Sequence, residues 1–452
     1  MGKAIDEVME GYKETEIGTL PEEWEVVRLG EFSDSGVLKL KNGFPCGNHN
    51  DQKIGIPHMR PLNVTSDGQV SLYAIKYIQT ERDISDYLLQ SGDVIFNNTN
   101  SEELVGKTAY WDKSGNYVLS NHMTIIRVII PNIVETYFLA RFLHMRWFEG
   151  YYLGVCRRHV NQASISLERL KQVLIPLPPL TEQHKIAHVL STIQRAIELQ
   201  DRVIAAAREL KKSLMRHLFT YGPVPVDQID RVPLKETEIG PVPEHWEVVR
   251  LEEAITQTQY GLSMRGESTG KYPILRMNNL SDGQVDINSL QHVNLDKNTY
   301  LRFRLNKDDI LFNRTNSYEL VGKTSIFNLN GDYVFASYII RLITNDNKLV
   351  SVFLNYYLNM VSTQNRLKLL ATRGVSQSNI SATKLKSFLF PLPPLSEQRH
   401  IAHILTTLDQ KIEAEEKRKS TLQSLFQTML HLLMTGRVRV KDLEVNVDAI
   451  GR

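Results

Sequence analysis

Cysteine occurs only twice in 452 residues, as Cys46 and Cys156. That excludes a disulfide framework and makes a reducing cytoplasm the expected location. Cys46 and His49 have metal-like spacing, but no second pair of ligands follows, so no metal is expected. Long apolar runs are also missing: none approaches the ~18 residues of a membrane span. The start, Met-Gly-Lys-Ala-Ile-Asp-Glu, has no apolar signal region, so neither secretion nor a membrane partner is expected. Nor is there an excess of one charge. A net charge of +2 does not announce nucleic acid, so any basic surface must be local and balanced elsewhere, for example by Glu413, Glu415 and Glu416.

Catalytic signatures are scarce. Gly106-Lys107-Thr108 and Gly322-Lys323-Thr324 look like phosphate loops, but Ser101 and Ser317 stand where that motif needs its first glycine. A glycine turn into a strand with a surface lysine is expected instead. There is no glycine fingerprint for a dinucleotide and no Asn-Pro-Pro or Asp-Pro-Pro box of the kind an amino-methyltransferase needs. H-E-x-x-H and G-x-S-x-G are also missing. Together these gaps favour a binding protein over an enzyme, with no cofactor of its own.

What is present is a duplication. Lys13-Glu-Thr-Glu-Ile-Gly-Thr-Leu-Pro-Glu-Glu-Trp24 returns as Lys235-Glu-Thr-Glu-Ile-Gly-Pro-Val-Pro-Glu-His-Trp246, and Glu-Val-Val-Arg-Leu follows both. Asp67-Gly68-Gln69-Val70 returns as Asp282-Gly283-Gln284-Val285, and Leu104-Val-Gly-Lys-Thr108 as Leu320-Val-Gly-Lys-Thr324, in the same order. Short β-rich runs dominate each copy: Asp93–Phe96, Met123–Ile130, Asp309–Phe312 and Tyr338–Ile343. Helical patterns cover Glu135–Phe148 and Val350–Val361.

Each copy ends on one signal, Pro176-Leu-Pro-Pro-Leu-Thr-Glu-Gln183 and Pro391-Leu-Pro-Pro-Leu-Ser-Glu-Gln398. The prolines favour an extended approach and cannot continue a helix. Thr181 and Ser396 suit an N-cap, and Glu182 and Glu397 suit the positive end of a helix dipole. Long helices are expected from Thr181 to Tyr221 and from Ser396 to Thr435, each stopped by a glycine, Gly222 or Gly436. Apolar steps of three and four predict a seam through Ile186, Leu190, Ile193, Ile197, Ile204, Ala207, Leu210, Leu214 and Leu218. The partner seam runs through Ile401, Leu405, Leu408, Ile412, Leu422, Leu425, Met429 and Leu432. At ~40 residues each, against a mean nearer 11–12, they suit a coiled pair better than ordinary domain helices. Their length of about 60 Å could hold two domains apart.

Three sets of planar, hydrogen-bonding side chains recur. The first is Asn97-Asn98-Thr99-Asn100-Ser101 with Asn313-Arg314-Thr315-Asn316-Ser317. The second is Arg157, Arg158, Asn161 and Gln162 with Arg373, Gln377, Ser378 and Asn379. The third is Arg60 and Asn63 with Arg276, Asn278 and Asn279; Tyr260, Ser263 and Arg265 lie nearby in the second copy. Asn and Arg engage adenine and guanine edges bidentately, so these residues are the candidate contacts to double-stranded DNA.

The chain resembles the specificity subunits of type I restriction–modification systems. The residues that carry the resemblance are the two Pro-Leu-Pro-Pro-Leu-Ser/Thr-Glu-Gln starts, the two Phe-Asn-x-Thr-Asn-Ser-x-Glu-Leu-Val-Gly-Lys-Thr stretches, Val375-Ser376-Gln377-Ser378-Asn379-Ile380, and Gly-x-x-Pro-x-x-Trp at Trp24 and Trp246. One departure is His159, where the second copy and the family pattern have glycine, Gly374. It puts the usual path of that loop in question.

The resemblance implies an α+β fold: two mixed α/β target-recognition domains in tandem duplication, separated by two long antiparallel coiled-coil helices. The expected division is 13–180 and 235–395 for the recognition domains and 181–222 and 396–436 for the helices. A linker takes 223–234 and a tail 437–452. The domains would each read half of an interrupted site, and the helices would set its gap. The chain would be non-catalytic. It would assemble with two methyltransferase subunits carrying S-adenosylmethionine and, in some systems, with restriction subunits carrying ATP and Mg. Outward helix residues such as Gln194, Arg195, Asp201 and Arg202 would help dock the methyltransferase. Two rival readings stand beside this one. A fused methyltransferase or nuclease with unrecognised motifs would bind S-adenosylmethionine by itself. A protein-only coiled-coil scaffold would shift no duplex.

Overall fold

Each half of the chain builds its core around the tryptophan that opens it, Trp24 or Trp246, both fully buried. The structure, a computed structural model, describes residues 10–46, 48–375, 377–441 and 443. The N-terminal segment 1–9, Ser376 of the Val375–Ile380 stretch, and tail residues 442 and 444–452 lie outside the described residues. The chain forms two compact units, 1–200 with 418–452, and 201–417.

In the first unit, Glu25–Arg28 pairs antiparallel with Leu174–Leu177, so the proline signal begins as a strand. Proline is tolerated there because this two-stranded sheet has edges that need no further donors. A four-stranded antiparallel sheet runs in the order Leu38–Asn42, Thr124–Val128, Val94–Phe96, Thr108–Tyr110. Val94, Ile95 and Phe96 are buried on both faces, as a continuous apolar run suggests. Helix Thr136–Phe148 covers one face, and the carboxylate of Glu135 accepts from the Phe138 amide at its start.

The second unit repeats this plan. Glu247–Arg250 pairs with Leu389–Leu392, and the sheet order is Ile255–Tyr260, Ile339–Thr344, Ile310–Asn313, Thr324–Ile326. The expected helix 350–361 is broken into Ser351–Leu358 and Val361–Leu369. Asn359 lies at the break, where its side-chain amide donates to the Thr324 and Asn355 carbonyls.

The long helices run Leu180–Tyr221 and Leu395–Met434. Each begins one residue before the predicted caps. The Pro179 and Pro394 carbonyls accept the first amide bonds, which puts Thr181 and Ser396 inside the first turn. Each unit contains the start of one helix and the end of the other, packed antiparallel. In the first, Ile186, Leu190 and Ile197 share a core with Phe426, Leu430 and Leu433. In the second, Leu218 and Phe219 share one with Ile401, Ala402 and Leu405.

Two predicted seam positions are wrong by one residue. Leu210 is 57 % exposed, and the seam position is taken by Lys211, whose ammonium pairs with Asp409 at 2.5 Å. Leu425 is 44 % exposed, and Phe426 takes its place at 7 %. One residue is a turn of about 100°, enough to move a side chain from seam to solvent.

Candidate nucleic-acid interface

The first two polar sets meet in one small sheet in each unit. In the first, Ala163–Ser164 lies between Thr99–Asn100 and Arg157–Arg158, all antiparallel. In the second, Ser378–Asn379 lies between Thr315–Asn316 and Thr372–Arg373. Ser101, Arg157, Arg158, Asn161 and Gln162 are exposed, as are Arg373 and Gln377. Asn98, Thr99, Asn100, Asn316 and Ser317 are half-buried beside them. Arg158 pairs with Glu102 at 2.6 Å, and the Arg373 guanidinium lies 4.0 Å over the Tyr318 ring. The sequence reading missed Glu102 and Tyr318; both follow directly after the Asn-Ser stretches.

His159 does not divert its loop. Its amide donates to the Gln162 carbonyl at 2.7 Å, and that of Gly374 to the Gln377 carbonyl at 2.8 Å. The same bond therefore closes both hairpins, in the first with a side chain present.

Several candidates belong to the scaffold instead. Asn63 is fully buried. Its amide nitrogen donates to the Ser71 and Tyr73 carbonyls, and its oxygen accepts from the Arg60 amide. Asn279 repeats this with the Asp286 carbonyl and the Arg276 amide. Arg60 and Arg276 are half-buried, each donating to a backbone carbonyl, of Ala74 and Ser289 respectively, at 3.1 Å. Asn97 and Asn313 are fully buried at the ends of the central strands. Asn97 donates to the Pro61 carbonyl at 3.0 Å. None of these four asparagines presents an edge that a base could reach. Thr315 and Ser378 are also buried, and Thr315 accepts from the Asn379 amide at 2.7 Å. Asn278 is exposed but donates within its own loop, to Ser289 at 3.4 Å. Sequence alone could not separate these from surface residues, because an Asn ending a strand looks the same on either side of a sheet.

Arg314 is held above the Tyr260 ring at 4.8 Å, and its Nη1 donates to the Ser337 carbonyl at 3.3 Å. The Tyr260 hydroxyl accepts from the Ala382 amide at 2.9 Å, so the platform is itself fixed. Ser263 and Arg265 are exposed farther along the same segment.

Lys107 is not a surface lysine. It is 5 % exposed, and its ammonium bonds the Val64 carbonyl. Burial lowers its pKa, opposed by the charge of Asp67. It ties the loop after Asn63 to the central sheet.

Cys46 and His49 do not converge on a common centre. Cys46 Sγ donates to the Asn48 carbonyl, and His49 bonds His58 at 2.8 Å. Among the described residues no group of His, Cys, Asp and Glu is placed to hold a metal, and no helix is long and apolar enough to cross a membrane.

Comparison with known proteins bears on both units. The model of the type I restriction modification DNA specificity domain matches residues 21–208 and again 243–424. The putative type I restriction enzyme MjaX specificity subunit of Methanocaldococcus jannaschii is 30 % identical over 446 residues, 96 % of this chain and 97 % of that one. The StySPI specificity subunit of Salmonella potsdam is 26 % identical over 79 % of this chain and 77 % of its own. Among solved structures, the S subunit of a type I system from M. genitalium superposes with a TM-score of 0.56, covering 91 % of this chain and 96 % of that one. Its identity is 16 %, so the likeness is one of fold.

Proposed function

The chain belongs to the family of type I restriction–modification DNA specificity subunits, and on that premise we propose that its two units each read one half of a bipartite site in double-stranded DNA. The observation that carries the reading is the repeated polar sheet. The same three strands and the residues next to them carry Ser101, Arg157, Arg158, Asn161 and Gln162 in one unit, and Asn316, Ser317, Arg373 and Gln377 in the other. Guanidinium and amide groups suit both phosphate clamping and base-edge recognition.

The chemistry is assigned to partners. Two methyltransferase subunits would bring S-adenosylmethionine and methylate adenine, and restriction subunits, in a system that has them, would bring ATP and Mg. The long helices would set the number of unread bases between the half-sites and dock the methyltransferase. Arg195, Asp201 and Arg202 are exposed on the helix surface. Gln194 is not: it is buried and bonds Glu198 at 3.3 Å.

The test is reconstitution. Mixed with its methyltransferase subunits, the chain should direct adenine methylation to one interrupted sequence, mapped by sequencing of modified bases. Alone it should neither methylate nor cleave. Methyl transfer by the isolated chain at the rate of the complex would defeat the proposal, as would failure of the complex to prefer any duplex.

A further inference from the structure

The two most exposed large apolar side chains among the described residues occupy one and the same place in the two units. Val160 is 98 % exposed and Val375 is 111 % exposed. Each directly follows the residue whose amide closes its hairpin, His159 onto the Gln162 carbonyl and Gly374 onto the Gln377 carbonyl. A single apolar side chain in water needs no explanation. Two at matched tips do, because the residue before each differs, His159 in one and Gly374 in the other, while the valine stays. The strands leading to the tips carry exposed arginines: Arg157 and Arg158 below Val160, and Arg373 below Val375.

We propose that Val160 and Val375 are base-reading residues, each placed in the major groove against the 5-methyl group of a thymine in its own half-site. This rests on the DNA-recognition reading above and goes beyond it by naming the contact. The major groove admits a two-stranded β-ribbon, and the thymine methyl is the one apolar feature on its floor. A β-branched side chain is stiff about its first torsion, so little freedom is lost on contact. The flanking guanidinium groups supply phosphate contacts that hold a ribbon in a groove. A polar tip would bond water as readily as a base edge, whereas an isopropyl group gains only where it meets another apolar group.

The experiment uses the full chain assembled with its methyltransferase subunits, on duplexes of its mapped site. Each thymine is replaced in turn by deoxyuridine, which removes only the methyl group. One such replacement in each half-site should weaken binding by about fourfold, the worth of one buried methyl. Val160→Ala should make its half-site indifferent to that methyl, and Val375→Ala should do so at the other, with melting temperatures unchanged because both side chains stand in water. Uracil sensitivity that survives a substitution overturns the assignment of that residue. A wild-type complex indifferent to every replacement, yet still sequence-specific, overturns the inference and leaves the DNA reading standing. A complex with no sequence preference overturns that reading itself.

Discussion

Trp24 and Glu182 are 158 residues apart in the chain and share a buried hydrogen bond, indole Nε1 donating to carboxylate Oε2 at 3.1 Å. Trp246 and Glu397 make the same bond at 2.9 Å. The two sequence landmarks of each copy, its opening tryptophan and the glutamate of its proline signal, therefore meet at the start of a long helix. The next residue extends the clasp. Gln183 donates to the Ile133 and Pro178 carbonyls and accepts from the Glu135 amide. Gln398 does the same with Lys348, Pro393 and Val350. These motif residues tie the start of each helix to its domain.

The two clasps are unequal. Glu182 is 3 % exposed and takes two 2.7 Å bonds from Arg439, whereas Glu397 is 26 % exposed and faces His245 at 2.8 Å. Glu182→Ala leaves a buried indole donor without an acceptor and the half-buried Arg439 guanidinium with only Glu23, at 3.3 Å. It should destabilise the first unit by about 3 kcal/mol. Glu397→Ala should cost the second about 1 kcal/mol. Urea unfolding of each variant, followed by tryptophan fluorescence, measures both, and equal losses would contradict this account.

Periodicity made the duplication and the helices legible, because both are written in local spacing. It failed where one residue decides. Lys211 and Phe426 occupy seam positions because of how the helices rotate against each other, which steps of three and four alone do not fix. The recognition loops were legible as loops, but not residue by residue. Asn97 and Asn98 are neighbours of one type, yet the first is fully buried against the Pro61 carbonyl and the second half-exposed, because the chain leaves the central strand at this point.

The buried asparagines give a clean contrast. Asn63 and Asn279 each cap a short turn and bond backbone on both sides. Replacing either by alanine strands buried carbonyl groups and should cost about 1–3 kcal/mol. Binding selections on the surviving folded protein should return the wild-type site unchanged. A new base preference in one half-site would put these residues back among the readers.

Acid should unfold the first unit before the second. Burial, then the charges of Arg141 and Lys107, lowers the pKa of His144 to about 3, and burial lowers that of His58 to about 4. The unfolded chain takes up these protons near pH 6.5, which the folded unit refuses, so stability is full above that pH and falls as pH drops from there toward 4. Each histidine contributes a slope of up to about 1.4 kcal/mol per pH unit. Asn359 lies beside Gly283 in the second unit as His144 lies beside Gly68 in the first, so His144→Asn is a tolerable substitution. It should flatten the pH dependence measured between pH 7 and 4.5. An unchanged slope would remove His144 from the explanation.

If the long helices set the gap, lengthening them should lengthen it. Arg208 pairs with Glu416 at 2.5 Å, so residues inserted near Ala205–Ala207 must be matched beside Lys417 to keep the helices in step. Four residues add about 6 Å at 1.5 Å each, close to two base pairs at ~3.4 Å. The doubly inserted protein should methylate the same half-sites with a spacer about two pairs longer. An unchanged spacer would show that the helices do not measure it.

Asn98 and Arg314 occupy one backbone position in the two units. The carbonyl of each accepts from an isoleucine amide, Ile165 at 2.8 Å and Ile380 at 2.9 Å. Their side chains differ in what they can read. Asn98 is partly engaged, donating to the Asn121 carbonyl at 3.4 Å and accepting from Thr124 at 3.2 Å. Arg314 lies over the Tyr260 ring and is bonded through Nη1, with its Nε buried and unpartnered. The ring contact and the Nη1 bond restrain the guanidinium, a group that pairs with guanine O6 and N7, whereas asparagine favours adenine. Arg314→Asn should therefore change the preferred base at one position of one half-site, with a discrimination of about 1–3 kcal/mol, or one to two decades in affinity. The other half-site should be untouched, because its reader is a separate unit. Binding selection on randomised duplexes, repeated at several salt concentrations, decides the matter. Uniform weakening across all sequences with a shallower salt dependence would make Arg314 a phosphate clamp and defeat the assignment.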